Sequence, residues 1–188
     1  MTQVLSGSES ADVASEQTPT VSGRAAEASH INVAKLTFAL VVLLTLLAFA
    51  IRIYALERQS LWSDEGLSLY RAYQTPADLL DGLIVIDGIE TRDTNPPLYF
   101  LLLHIWRNVT GDTVFSLRYS GVMAGMLAVP LIFVLGSKLY GRWVGLAAAL
   151  LMAISPFHVW QSQVLRNYSL LLTLNLASVY GLFRYALA

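Results

Sequence analysis

An unbroken apolar run, LTFALVVLLTLLAFAI, occupies positions 36–51, and Arg52 stands where a long side chain can snorkel to the interface. Carried on to Leu56, the segment reaches about 20 residues, enough to cross about 30 Å of hydrocarbon as a helix. Further runs follow at 119–139, with Pro130 inside it, at 143–154, which can extend through Pro156 to Trp160, and at 168–185. Only closed barrels and helices satisfy their backbone in lipid, so these four segments predict helical spans and an all-α polytopic membrane protein. The segment PPLYFLLLHIWRN (96–108) is different. About 12 of its residues are apolar or aromatic, roughly 18 Å of helix, so it is expected to lie in or dip into the interface.

Charge decides the orientation. Arg24 and Lys35 precede the first span and place the N-terminus inside by the positive-inside rule. If 96–108 does not cross, Lys138 and Arg142 in GSKLYGRW also fall inside, as does Arg184. Residues 57–117 then form one long outer loop, and 155–167 (SPFHVWQSQVLRN) another, so the unusual polar residues share one face. Within the long loop, GLSLYRAYQ reads as a short amphipathic helix along the membrane surface, on which Arg71 is expected to be a replaceable surface cation. Thr75 as cap, Pro76 at the first position and Asp78 in the first turn start a second one.

Composition narrows the function classes. Hydrophobic residues make up 55% of the chain and charged ones 13%, against about 25% charged in soluble domains, which supports a membrane protein. A net charge of −1 points neither to nucleic acid nor to an anionic surface. The chain has no cysteine, which excludes disulfides, thiolate metal sites and cysteine catalysis. Residues 1–30 are rich in Ser, Ala, Thr and Glu without periodicity. They predict a disordered tail rather than a cleaved signal peptide, and 1–34 is the expected cytoplasmic tail. The membrane module is expected over 35–188.

The candidate chemistry lies in the outer segments. In LWSDEGLSLY (61–70), Ser63, Asp64 and Glu65 can simply start a helix, with the acids complementing its dipole. The same pair can equally mount a catalytic carboxylate on a rigid turn at the lipid boundary. In RDTNPPLYF (92–100), Asn95 can cap a helix begun by Pro96, or Asp93 and Asn95 can join the first carboxylates as ligands. In 155–170, Gln161, Gln163 and Arg166 crowd beside aromatic residues of interfacial type, and His158 reads as interfacial more readily than as a metal ligand. Arg118 opens a span and can snorkel or hold an anion. Asn108-Val109-Thr110 and Asn167-Tyr168-Ser169 fit the glycosylation pattern but sit too near the membrane to be favoured acceptors.

Taken in order, LWSDEGLSLY, DTNPPLYFLLLHIW, GDTVFSLRYSGVMAGMLAVPLIFVLGSKLYG and SPFHVWQSQVLRNYSL resemble the protein-mannosyltransferase-like branch of membrane glycosyltransferases, family 39. The resemblance covers roughly 55–188. It implies a C-type fold, a sugar donor on a polyprenyl phosphate, and an acceptor that is a protein, lipid or glycan. It also implies the N-terminal module of a longer enzyme, which alone is expected to be inactive. The chain carries Asn95 where the family often has His, and Val164 and Leu165 where it often has an acidic residue and Ala.

On this reading Asp64 is the base for the acceptor hydroxyl, and Glu65, Asp93 and Asn95 orient acceptor, sugar or a divalent ion. Arg118 and Arg166, helped by Gln163, hold the departing phosphate. No cofactor is assigned, and a divalent ion stays open. Membrane lipid is an expected partner and nucleic acid is not. The expected location is a bacterial plasma membrane. A transporter or flippase of a lipid-linked substrate is the rival, but its charges should spread through the depth of the spans, whereas these cluster at one face.

Overall fold

The structure is a computed structural model that describes residues 21–86, 88–93 and 95–186. Residues 1–20 of the expected tail lie outside the described residues. The helices are α1 (Val21–Ile53), α2 (Ser63–Tyr73), α3 (Pro76–Asp81), α4 (Pro97–Thr110), α5 (Val114–Tyr140), α6 (Arg142–Ile154), α7 (Pro156–Gln163) and α8 (Tyr168–Ala186). A hairpin of β1 (Leu83–Ile86) and β2 (Ile89–Arg92) interrupts the series between α3 and α4. The chain divides at Leu36–Thr37 into two units. In the first, the described residues are helical from Val21, inside the stretch expected to be tail. The second, from Thr37 onward, carries everything that follows.

The protein is an all-α polytopic membrane protein apart from that hairpin. Two helical stretches, Asn32–Ile53 and Val114–Tyr140, are long and apolar enough to cross a bilayer. A third arises if α6 and α7, bent by 55° at Ser155, act as one broken span. The fourth expected span, α8, has 19 residues and is not among these stretches as counted over the described residues. Helix α4 has 14 residues, about 21 Å, and is not among the stretches able to span.

Helix α5 is the centre, with α6, α7 and α8 packed against it. Lipid tails offer no hydrophobic drive between helices, so such packing depends on close backbone approach at small residues. A Cβ on Gly121 would stand 2.8 Å from the carbonyl oxygen of Ser162, and one on Gly145 would stand 2.6 Å from that of Phe133. These two glycines let α7 and α6 lie directly on α5. Only 11% of the most apolar window of α1 is buried, against 33% for α5, so α1 turns most of its surface, including Phe38, Leu43 and Leu46, to lipid.

Pro156 breaks the α6–α7 helix because it has no N–H to offer the carbonyl of Met152 four residues back. Arg52 fills the gap. Its Nη2 donates to the Met152 carbonyl at 3.0 Å, its Nη1 to the Ala153 carbonyl at 3.1 Å, and its Nε to Ser162 Oγ at 3.3 Å. His158 Nδ1 also contacts Arg52 Nη2. Arg52 is therefore wholly buried, not snorkelling: carbonyls at the broken helix end replace water. His158 is buried against it rather than interfacial.

The segment between α1 and α5, joined by Leu117 and Leu165, builds a second core from Ala72, Leu79, Tyr99, Phe100, Leu103, Leu117 and Leu165. Thr75 caps α3 by accepting from Asp78 N–H at 3.3 Å, with Pro76 in its first turn. Arg71 contradicts its expected surface position. It is fully buried, donates to Gln74 Oε1, the Leu83 carbonyl and the Leu79 carbonyl, and lies 5.1 Å from the centre of the Phe100 ring. Helix α2 therefore buries its arginine and exposes Tyr70 and Tyr73, because this cation ties α2 to the turn after α3.

Candidate functional site

Helix α2 begins one residue before the sequence pattern put it, with Trp62 rather than Ser63 as its N-cap. Trp62 N–H donates to Glu65 Oε2 at 3.3 Å, so Glu65 closes a capping interaction on its own first turn. The same carboxylate is held from two other elements. Arg118 Nε donates to Oε1 at 2.9 Å and Nη2 to Oε2 at 2.7 Å, a bidentate fork. Leu165 N–H donates to Oε1 at 2.7 Å. Burial by itself would raise the Glu65 pKa. The Arg118 hydrogen bonds, then the Leu165 amide, the Arg118 charge and the Trp62 amide, outweigh it and hold the group below the ordinary carboxylate value.

Arg118 is equally occupied. Its Nη1 donates to the carbonyls of Leu56 at 2.9 Å and Gln59 at 2.8 Å, and Nη2 reaches that of Ser60 at 3.3 Å. All five N–H donors of a guanidinium are thus engaged. The pair joins the turn after α1, the start of α2, the top of α5 and the 164–166 segment. Its geometry leaves no hydrogen free for a phosphate.

Asp64, one residue earlier, is in the opposite condition. Its side chain is 48% exposed and lies 3.9 Å from Arg166 Nη2, while the Arg166 side chain is only 17% exposed. Arg166 Nη1 also donates to the Asp64 carbonyl at 3.3 Å. The helical step from 64 to 65 therefore separates an open carboxylate from a saturated one. Tyr99 of α4, which the sequence reading did not single out, is buried beside Arg166 and Glu65; burial chiefly raises its pKa, against the Arg166 charge. Its place in PPLYF, one turn into a helix begun by two prolines, was the available signal.

The remaining candidates go elsewhere. Asp93 Oδ1 accepts from Asn95 N–H at 2.9 Å and Asn95 Nδ2 at 2.7 Å, and Oδ2 lies 3.5 Å from Arg71 Nε. Among the described residues no hydrogen bond or ion pair joins Asp93 or Asn95 to Asp64, Glu65, Arg118 or Arg166. Gln163 Nε2 donates to the carbonyls of Arg52 and Tyr54, both at 3.0 Å, and so caps the end of α1. No group of three or more His, Cys, Asp or Glu suited to a metal ion occurs among the described residues.

Two cavities adjoin these residues. One, of about 510 Å³, is an apolar groove between α4, α5 and α8; Leu103, Met123 and Leu170 line it, and Tyr99 and Arg166 supply its polar edge. The other, of about 410 Å³, lies between the end of α1, Trp62 and α7, with Glu65 and Arg118 in its wall. An apolar trench bounded by one partly exposed arginine suits an amphiphile with an anionic head, and the open carboxylate beside that arginine suits proton transfer.

The family model described as dolichyl-phosphate-mannose-protein mannosyltransferase matches residues 94–188. The chain belongs to this family. It is a membrane protein of glycosyltransferase type. The matched half contains Asn95, Arg118, Gln163 and Arg166, whereas Asp64, Glu65 and Asp93 precede it. No curated protein and no solved structure matches the chain.

Proposed function

We propose that the protein moves a sugar from a polyprenyl-phosphate donor to an acceptor hydroxyl at the outer or lumenal face of a bacterial plasma membrane. The observation that carries this reading is the apolar groove with Arg166 at its edge and Asp64 3.9 Å from that arginine. The prenyl chain would occupy the groove, and the phosphate would meet Arg166.

Asp64 would take the acceptor proton as the acceptor oxygen forms its bond to the anomeric carbon. The bond from that carbon to the phosphate oxygen breaks, and the phosphate leaves with the electron pair, neutralised by Arg166. Glu65 and Arg118 act as the frame: they fix α2 against the 164–166 segment, so that Asp64 and Arg166 face each other. Asp93 and Asn95 shape the hairpin end of the same outer segment, and Gln163 holds the end of α1. A divalent ion would have only single carboxylates to bind, Asp64 being the open one.

The test is transfer in membranes from cells expressing the gene, with a panel of polyprenyl-phosphate sugars. Asp64→Asn should insert normally and lose transfer by about 10²-fold or more, the scale of a lost base. Arg166→Lys should weaken donor use, since lysine cannot reproduce the fork, and Asp78→Asn should change little. Transfer by Asp64→Asn at the native rate would refute the assignment.

A further inference from the structure

The cavity on the α1 side of the ion pair is built unlike the groove. Three aromatic side chains, Tyr54, Trp62 and Trp160, line it together with Gln59, Gln163 and Arg58. Trp62 is 47% and Trp160 53% exposed, from elements almost a hundred residues apart. An aromatic belt would scatter such residues around the perimeter at headgroup level. Here two indoles border the same space of about 410 Å³, within the ~300–1,000 Å³ of small-molecule sites.

Its rim is held in a costly conformation. Ala55 has φ = +57°, a left-handed geometry that a non-glycine residue rarely adopts. The turn persists because Arg58 N–H donates to the Ala55 carbonyl at 3.0 Å and Arg118 takes the carbonyls of Leu56 and Gln59. Gln163 anchors the Tyr54 carbonyl from the opposite wall. Trp62 is fixed through its own amide to Glu65, two residues from Asp64 in the same turn. Arg58 is exposed at the rim, and among the described residues no hydrogen bond or ion pair reaches its guanidinium.

We infer that this cavity holds a saccharide ring of the acceptor, against the two indoles, with Gln59 and Arg58 free to bind its hydroxyl or acidic groups. Aromatic faces, amide side chains and an unpaired cation suit a hydroxyl-rich ring. An extended peptide would need a strand edge or a longer trench. Trp62 and Glu65, on the same turn as Asp64, line this cavity, whereas Arg166, 3.9 Å from Asp64, lines the lipid groove, so acceptor and donor would reach Asp64 from separate cavities. The inference rests on the transferase reading above and narrows its acceptor to a glycan or glycolipid.

The test is tryptophan fluorescence of the full chain in lipid nanodiscs, titrated with mannotriose, with a glucuronate-containing disaccharide and with a threonine-rich hexapeptide. At least one saccharide should perturb the emission saturably, and the peptide should not. Trp160→Ala should weaken saccharide binding at least tenfold, Trp160→Phe should restore most of it, and Trp143→Ala, outside the cavity, should leave it unchanged. Saturable binding of the peptide alone, or no effect of Trp160→Ala in a folded variant, overturns the inference. Displacement of the saccharide by a short-chain prenyl-phosphate mannose also overturns it, since the site would then belong to the donor sugar. Loss of binding with transfer intact counts against this cavity only; intact binding without any transfer counts against the transferase reading only.

Discussion

Replacing Arg118 by methionine would leave Glu65 buried with its charge opposed by nothing but two amides. Glu65 is wholly buried, and the arginine donates five hydrogen bonds, two to the carboxylate and three to the carbonyls of Leu56, Gln59 and Ser60. Breaking a buried pair by removing one partner costs about 3–5 kcal/mol, because the surviving charge stays desolvated. That cost corresponds to roughly 10²–10⁴ in the folding equilibrium. Removing both charges, with Glu65→Leu and Arg118→Met together, should cost much less than the sum of the singles, since an apolar replacement relieves the stranded carboxylate. Unfolding of the chain in mixed micelles, titrated with a denaturing detergent and followed by helix content, measures all four corners of the cycle. A single-variant cost below about 1 kcal/mol, or additivity within about 0.5 kcal/mol, would refute the claim that this pair is the frame of the outer segment.

Acid should act on the same frame. The folded-state pKa of Glu65 lies below its unfolded value, so the stabilisation is complete above the ordinary carboxylate range and is lost as pH falls through the depressed value. Melting temperature should therefore hold from neutrality to about pH 5 and fall below about pH 4, and Glu65→Gln should flatten that drop. Arg71→Lys should destabilise by about 1–3 kcal/mol in the same detergent titration, because a buried ammonium cannot reach Gln74, Leu79 and Leu83 at once; a native midpoint would contradict this. The cysteine-free chain makes orientation measurable: Tyr140→Cys should label only from the inner face and Glu90→Cys only from the outer. Labelling of Tyr140→Cys from outside would reverse the orientation.

Local signals carried part of this architecture. The Thr75–Pro76 cap and the shortness of α4 are properties of a few neighbouring residues and were legible in the chain, and the start of α2 was legible to within one residue, its N-cap being Trp62 rather than Ser63. The hairpin of 83–92 was missed because apolar residues in LIVI and IETR are too few to show a period, although Gly88 with φ = +78° marks the turn. Arginine positions were the least legible. Arg52, Arg71 and Arg118 each stand where a long side chain could reach water, yet all three point inward. Their partners are carbonyls left open by a proline at 156, by turns at 56–60 and by the end of α3, and Glu65 and Leu165 meet across 100 residues. Pattern along the chain says which groups are polar; only the packed structure says which backbone oxygens lack a donor. The Asp64–Glu65 pair illustrates this: adjacent acids, one open and one saturated, differ by a single helical step.

The bond between Arg52 and the broken helix also sets a schedule for assembly. Arg52 completes the first span, but the carbonyls and the hydroxyl that bury it belong to residues 152–162, more than about 100 positions later. At synthesis rates of about 5–20 residues per second, that separation is roughly 5–20 s during which the Ala48 carbonyl, one turn back, is the partner α1 itself offers its cation. In that interval the guanidinium must remain with the headgroups, leaving the first span shallow in the bilayer. Arrival of α6 and α7 would then draw it inward by offering oxygens in place of water. The final depth of α1 is thus set only when a segment about 100 residues later has been made.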